Sequence, residues 1–177
     1  MLTFIKLGGS LITDKRVENS YRAETAARIA AEIHEALTQN DTLQLLIGHG
    51  SGSFGHVAAK QHGTMQGVHT AEQWRGFAQV ARVAAELSYL MTKALESAGI
   101  PVMRFQPSAS AIAADGVITE MHIEPIRRAI RQGLVPMVHG DVAFDDQRGG
   151  TIISTETIFF ISSSRSMPFN TSLVAGR

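Results

Sequence analysis

Three short apolar runs in this chain each stop at a glycine-bearing turn, and that arrangement limits the possible folds more than any other feature. Leu2 to Leu7 ends at Gly8-Gly9-Ser10. Leu43 to Ile47 ends at Gly48-His49-Gly50-Ser51-Gly52-Ser53-Phe54-Gly55-His56, and Val135 to Val138 runs into His139-Gly140-Asp141. Short, mainly apolar runs bounded by turn residues have the pattern of strands buried on both faces of a parallel sheet. Between the first two lies a polar stretch with Asp14, Lys15, Arg16, Glu18 and Asn19. An apolar stripe at helical spacing follows, Ala26, Ile29, Ala30, Ile33 and Leu37, with Ser20 placed to cap it and Gln39-Asn40-Asp41 to close it. One helix between two buried strands is a βαβ unit, which requires parallel pairing and a right-handed crossover.

The same alternation continues. A short helical stretch follows the second turn as far as Lys60. The longest stripe, Trp74, Phe77, Ala81, Ala84, Leu87, Met91, Leu95 and Ala98, predicts a helix over about 70–98, with Gly99 as its C′ residue and Pro101 beyond. Val102 to Phe105 reads as a third strand. Glu124-Pro125 opens a helix that Gly133 ends, and Val135 to Val138 is the fourth strand. Val142 to Ile153, with Asp145-Asp146-Gln147-Arg148-Gly149-Gly150 in its middle, predicts a β-hairpin on the rim. Thr155 to Ile161 reads as a helix, 162–166 as a polar linker and Thr171 to Ala175 as a last strand. The expected fold is α/β, a three-layer αβα sandwich with a mainly parallel open sheet. A final parallel strand with no helix after it leaves a sheet face open, so the expectation is that either a partner covers it or the fold is incomplete at its C-terminal side. The expected division is 1–161 as one portion of a domain and 162–177 as a linker with the start of a second portion.

Charge and composition remove several function classes. Lys plus Arg and Asp plus Glu both number 16, without the basic excess by which a general nucleic-acid binder displaces counterions. The absence of cysteine rules out disulfides and thiolate metal sites. The apolar start of the chain is too short for a signal peptide or a membrane span, so a cytoplasmic location is expected, with no membrane partner.

In an open α/β sheet, ligands bind beyond the carboxyl ends of the strands, so the three turns are expected to converge. Their glycines permit close backbone approach, and successive free amides at a helix N-terminus suit phosphate oxygens. Lys6 and Lys15 supply positive charge and His56 a hydrogen bond. Plainer readings stand beside these. Gly8-Gly9 alone suits any tight turn, and Lys15 alone suits a solvated surface. His49, His62, His69 and His122 read as surface or structural, and Asp145 and Asp146 as hairpin-tip residues rather than metal ligands. Trp74 and Phe77 fit a core stripe or the wall of an apolar pocket. Gly50-Ser51-Gly52-Ser53-Phe54-Gly55 also matches the dinucleotide fingerprint. However, the region about 20 residues on starts a long helix rather than closing a strand with an acidic residue, which argues against a nicotinamide or flavin enzyme. No P-loop motif is present.

Taken together, Lys6-Leu7-Gly8-Gly9-Ser10, Lys15, His49 to His56 and Val135 to Val142 resemble the amino acid kinase superfamily, and within it the isopentenyl phosphate kinases. The resemblance covers the chain from Met1 to about Phe160. It implies the amino acid kinase fold and transfer of a phosphoryl group from ATP, with Mg2+ held mainly by the ATP phosphates, onto isopentenyl phosphate. The product would be isopentenyl diphosphate for isoprenoid synthesis. It further implies that Gly50, Gly55, His56, Gly140 and Asp141 hold the acceptor. Lys6, Gly8, Gly9, Ser10, Ser51 and Gly52 would lie along the ATP phosphates, and Lys6, Lys15 and His56 would serve the transfer. Trp74, Phe77, Val80 and Ala81 would wall the prenyl tail, and a homodimer is expected. The alternatives are a related kinase with a polar acceptor, fosfomycin or an acyl amino acid, or a non-catalytic remnant. The chain departs from the family at Ser154-Thr155-Glu156-Thr157, where a Ser-Gly-Asp-Asp-like run is usual. The resemblance also implies that most of the adenosine site and a further lysine lie in a C-terminal half that this sequence lacks.

Overall fold

A computed structural model describes residues 2–14, 16–164 and 172–175, with 56–58, 60, 61, 164 and 172–175 described by backbone alone. The elements run β1 (Leu2–Leu7), α1 (Gly9–Ile12), α2 (Ala23–Gln39), β2 (Gln44–His49), α3 (Gly52–His62), α4 (Ala71–Ser97), β3 (Val102–Arg104), β4 (Ala111–Ala114), β5 (Val117–Met121), α5 (Glu124–Arg131), β6 (Val135–His139), β7 (Asp141–Asp145), β8 (Gly149–Ile153), α6 (Thr155–Ser164) and β9 (Ser172–Ala175).

The expected parallel sheet is present. Five strands pair in the order β3-β6-β2-β1-β9, all parallel. Side chains alternate across it. Leu7, Leu45, Ile47 and Met137 pack with α2 and α4 in one core, while Leu2, Phe4, Leu46 and Val138 face the other core with Ile126 of α5 and Phe159 of α6. This is the predicted αβα sandwich, and the nearly continuous apolar composition of the strands follows from burial on both faces. The final strand expected over 171–175 forms as β9 and pairs with β1, Thr3 opposite Ser172.

Sequence reasoning missed a second sheet. β4 and β5 lie in the stretch between Phe105 and Glu124 that carried no element in the prediction. They join the expected β7–β8 hairpin in a four-stranded sheet of order β5-β4-β7-β8. The short Ala111-Ile112-Ala113-Ala114 run gave little strand signal because alanine is poor in β-propensity; its pairing with β5 and β7 sets its conformation. Asp145 ties the rim together, its carboxylate accepting the amides of Asp115, Gly116, Gln147 and Arg148 at 2.7–3.0 Å. Two boundaries also differ. Arg22 rather than Ser20 precedes α2, and the Ser20 N–H is instead spent on Ser53 Oγ at 3.2 Å. The last helix continues through Ser164 instead of ending at Ile161.

The long helix α4 forms as predicted. Thr70 caps it through a capping box with Gln73, and Gly99 beyond its end has φ of 86°. Gly76 within it lets α3 approach, since a Cβ there would lie 2.3 Å from His62 Cγ and 2.6 Å from His62 Cβ. Gly76→Ala therefore reverses the usual gain of ~1 kcal/mol from replacing glycine in a helix. The expected outcome is a loss of ~1–3 kcal/mol, the scale of overpacking, measured as a lower urea midpoint with an unchanged slope.

Candidate active site

The turns after β1, β2 and β6 meet at the carboxyl ends of adjacent strands, where the topology of an open sheet puts a ligand. A cavity of about 380 Å³ opens there. Lys6, Gly50, Ser51, Gly55, Gly140 and Asp141 line one part of it, and Ala59, Met65, Val80, Ala84 and Ile152 give it an apolar part. The chamber thus combines a polar, glycine-rich end with an apolar one.

The first two turns touch backbone to backbone. A Cβ on Gly9 would lie 2.5 Å from the Gly52 nitrogen, and Gly52 itself sits at φ +53° with Thr13 Oγ1 in the space its side chain would need. Thr13, fully buried, bonds both sides: its hydroxyl donates to Gly9 C=O at 2.6 Å and accepts from the Ser53 N–H at 3.0 Å. The Gly50 N–H donates to Leu7 C=O at 3.0 Å. Gly8, Gly9, Ser10 and Gly52 are thereby placed beside the cavity lining rather than in it, and they set the position of Gly50 and Ser51.

Lys6 forms an ion pair with Glu156 Oε1. Sequence reasoning missed Glu156, and the signal that could have found it was its position just after a strand–turn boundary, beside Ser154. Burial alone would raise the Glu156 carboxyl. Burial is the largest single influence, but the hydrogen bond and charge of Lys6, the Glu156 backbone amide and the Ser154 hydroxyl together outweigh it and hold the carboxyl below its ordinary value. Both side chains retain solvent contact, so the pair adds little stability and mainly fixes where the Lys6 ammonium points.

Asp141 is buried. Gln106 Nε2 and the Ser108 N–H donate to its Oδ2 at 2.6 and 3.0 Å, and the Val142 N–H to Oδ1 at 2.9 Å. Burial pushes this carboxyl up, against the downward pull of those donors. His49 and His139 are opposite one another in the β2–β6 register, and their rings stack 5.4 Å apart at 7°. Burial takes His49 down to about 3, with His139 beside it adding to the effect, and takes His139 down to about 4. Both are neutral spacers under the site, in keeping with a structural reading of His49.

The apolar wall is only partly the expected one. Val80 lines the cavity, but the other wall residues taken from α4 are displaced by Ala84. Trp74 and Phe77 turn toward the hairpin and cluster with Phe144, with ring centroids 5.1 to 5.7 Å apart. Ala81 packs against the main core. The cause is the tight seat of the hairpin: a Cβ on Gly150 would already lie 2.8 Å from the Phe77 ring. Lys15 lies outside the described residues, as does the side chain of His56, whose backbone belongs to α3. Among the described residues, no three histidine or acidic side chains are grouped to hold a metal ion. No helix among them is long and apolar enough to cross a membrane.

Comparison with known proteins places this geometry. The amino acid kinase family matches residues 1–163. The chain is 34% identical over 164 residues to the isopentenyl phosphate kinase of Methanocaldococcus jannaschii, covering 89% of this chain and 62% of that protein. It is 35% identical over 174 residues to the isopentenyl phosphate kinase of Methanothermobacter thermautotrophicus, covering 94% and 64%. The chain therefore spans less than two thirds of the length of these relatives. A solved isopentenyl phosphate kinase structure superposes with a TM-score of 0.87 at 34% identity, covering 98% of this chain and 72% of that one.

The buried histidines make stability pH-dependent. A histidine whose folded pKa lies below its unfolded value of ~6.5 contributes full stability above that value and loses it as pH falls toward the folded pKa. His49 and His139 should each cost up to ~1.4 kcal/mol per pH unit between about 6.5 and 4. Asp141, raised rather than lowered, works in the opposite sense over the lower part of that window. Denaturant unfolding at pH 7.5, 5.5 and 4.5 should show stability falling with pH, and His139→Leu should flatten the slope by about one proton's worth.

Proposed function

The chain belongs to the amino acid kinase family, and from that premise we propose that it serves the ATP-dependent phosphorylation of isopentenyl phosphate to isopentenyl diphosphate. The observation that carries this reading is the two-ended cavity. Lys6, Gly50, Ser51 and Gly55 suit a phosphate, while Met65, Val80, Ala84 and Ile152 suit a short hydrocarbon tail. Its volume of about 380 Å³ is in the range of small-molecule sites.

In this reading the acceptor phosphate lies on the turn at Gly50 and Gly55, with His56 donating to one of its oxygens and Gly140 and Asp141 forming the floor. At the start of α3 the Ser53 amide is used by Thr13, and those of Phe54 and Gly55 turn back to Ser51 C=O. Of the earlier amides, that of Gly50 goes to Leu7 C=O and that of Gly52 packs against Gly9, which leaves that of Ser51, a cavity-lining residue, for an anion. Lys6, oriented by Glu156, and Lys15 neutralise charge on the moving phosphoryl group, with Gly8, Gly9, Ser10 and Gly52 shaping its path. An acceptor phosphate oxygen attacks the γ-phosphorus of ATP as the bond to the bridging oxygen breaks and ADP leaves. Such transfers depend on positioning and charge stabilisation more than on covalent help from the protein. A homodimer and a cytoplasmic location belong to the same proposal.

The test is formation of isopentenyl diphosphate from ATP, Mg2+ and isopentenyl phosphate, together with direct titration of isopentenyl phosphate. No product and no binding would sink the reading. The two ends of the cavity separate in mutants. His56→Ala should weaken acceptor binding by ~1.5–3 kcal/mol, the scale of a hydrogen bond to a charged group. Ala84→Phe fills the apolar end and should raise KM for isopentenyl phosphate about tenfold or more, since each buried CH2 is worth ~0.8 kcal/mol. An unchanged KM in Ala84→Phe would point to a polar acceptor instead.

A further inference from the structure

The first residue of α6, itself at the edge of the cavity, bears directly on the glycine turn. Thr155 is buried, and its hydroxyl donates to His49 C=O at 2.7 Å. Its γ-methyl fills the space over Gly48, where a Cβ would lie 2.4 Å from Thr155 Cγ2. The same carbonyl receives only one other donor among the described residues, the Gly140 N–H at 3.3 Å, while the N–H of the same peptide group, on Gly50, goes to Leu7 C=O at 3.0 Å. Thus the His49–Gly50 peptide is held from β1, the turn after β6, and α6, and Thr155 supplies the shorter of the two bonds to its carbonyl.

A threonine at a helix start usually spends its oxygen on capping its own helix. Here Ser154 does that, its Oγ accepting the Thr157 N–H at 3.1 Å, so the Thr155 hydroxyl is free to donate outward. We infer that Thr155 is a positioning residue that fixes the His49–Gly50 peptide and so presets the turn that receives the acceptor phosphate. This rests on the reading of that turn as an acceptor site. It also gives the start of α6 a double role, because the next residue, Glu156, holds Lys6.

Thr155→Val keeps the shape and removes the donor, while Thr155→Ser keeps the donor and removes the methyl. Amide hydrogen exchange of Gly50 and Leu87 is followed by NMR, and isopentenyl phosphate is titrated in the same samples. In Thr155→Val, Gly50 exchange should accelerate about tenfold with Leu87 unchanged, and Kd should rise about tenfold, the scale of one net hydrogen bond. Thr155→Ser should restore both to within about twofold of the parent. Wild-type Gly50 exchange in Thr155→Val, faster exchange with unchanged Kd, or equal defects in Thr155→Val and Thr155→Ser would each overturn the inference. If the parent chain itself binds no isopentenyl phosphate, the proposed function fails, while Gly50 exchange still decides whether Thr155 fixes the turn.

Discussion

Two stretches of backbone meet at Gly9 and Gly52 with no side chain between them, and the rest of the site depends on that contact. Any Cβ on Gly9 would run into the Gly52 nitrogen, and Gly52 adopts a left-handed φ that other residues reach only with strain. Thr13 bonds to both sides of the junction. With the turns after β1 and β2 joined in this way, Lys6 and Gly50 come to line the same chamber. The parallel register brings in the turn after β6. Convergence of the three turns is thus a consequence of strand order and glycine placement together.

The central sheet, its layers and most of the helices were legible in the sequence because burial on both faces demands apolar strands and leaves a plain pattern. The second sheet was not. Ala111 to Ala114 has no periodicity that separates strand from loop, and its conformation comes from pairing with β5 and β7, a tertiary effect. Ser20 does not cap α2 because the helix begins only after Arg22, while the Ser20 C=O accepts the Asp14 N–H and its N–H meets Ser53, contacts that hold it in the preceding turn.

The site shows the same division. Lys6, Gly50, Gly55 and Gly140 line the cavity, and they could be picked out because three glycine turns end successive strands, although each turn alone suits an ordinary tight turn. Trp74 and Phe77 misled, since a helical stripe does not say which neighbour each residue meets. The β7–β8 hairpin took both through Phe144 and left the smaller Val80 and Ala84 to the cavity. Glu156 and Thr155 stood out only as part of a departure from the family, because their partners, Lys6 and His49, are remote in the chain. The buried His49–His139 stack is a register effect that sequence spacing does not reveal.

Glutamate at position 156 carries an electrostatic consequence. A carboxylate near a phosphate site works against anion binding unless a cation stands between them, and attraction and repulsion both grow as water leaves the chamber. Lys6 provides that cation, paired with Glu156 and lining the same cavity. An ammonium held by one carboxylate is still a donor with bonds to spare, so it can accept a second anionic partner without leaving the first. Its reach is then set by where α6 puts Glu156. The position of α6 is set in turn by Thr155 on the His49 carbonyl and by Phe159 in the space over Gly48. The Lys6 charge, which in the proposed reaction would meet the phosphoryl group, is therefore located by the packing of a helix against a glycine, and polar geometry in this chamber follows from apolar fit.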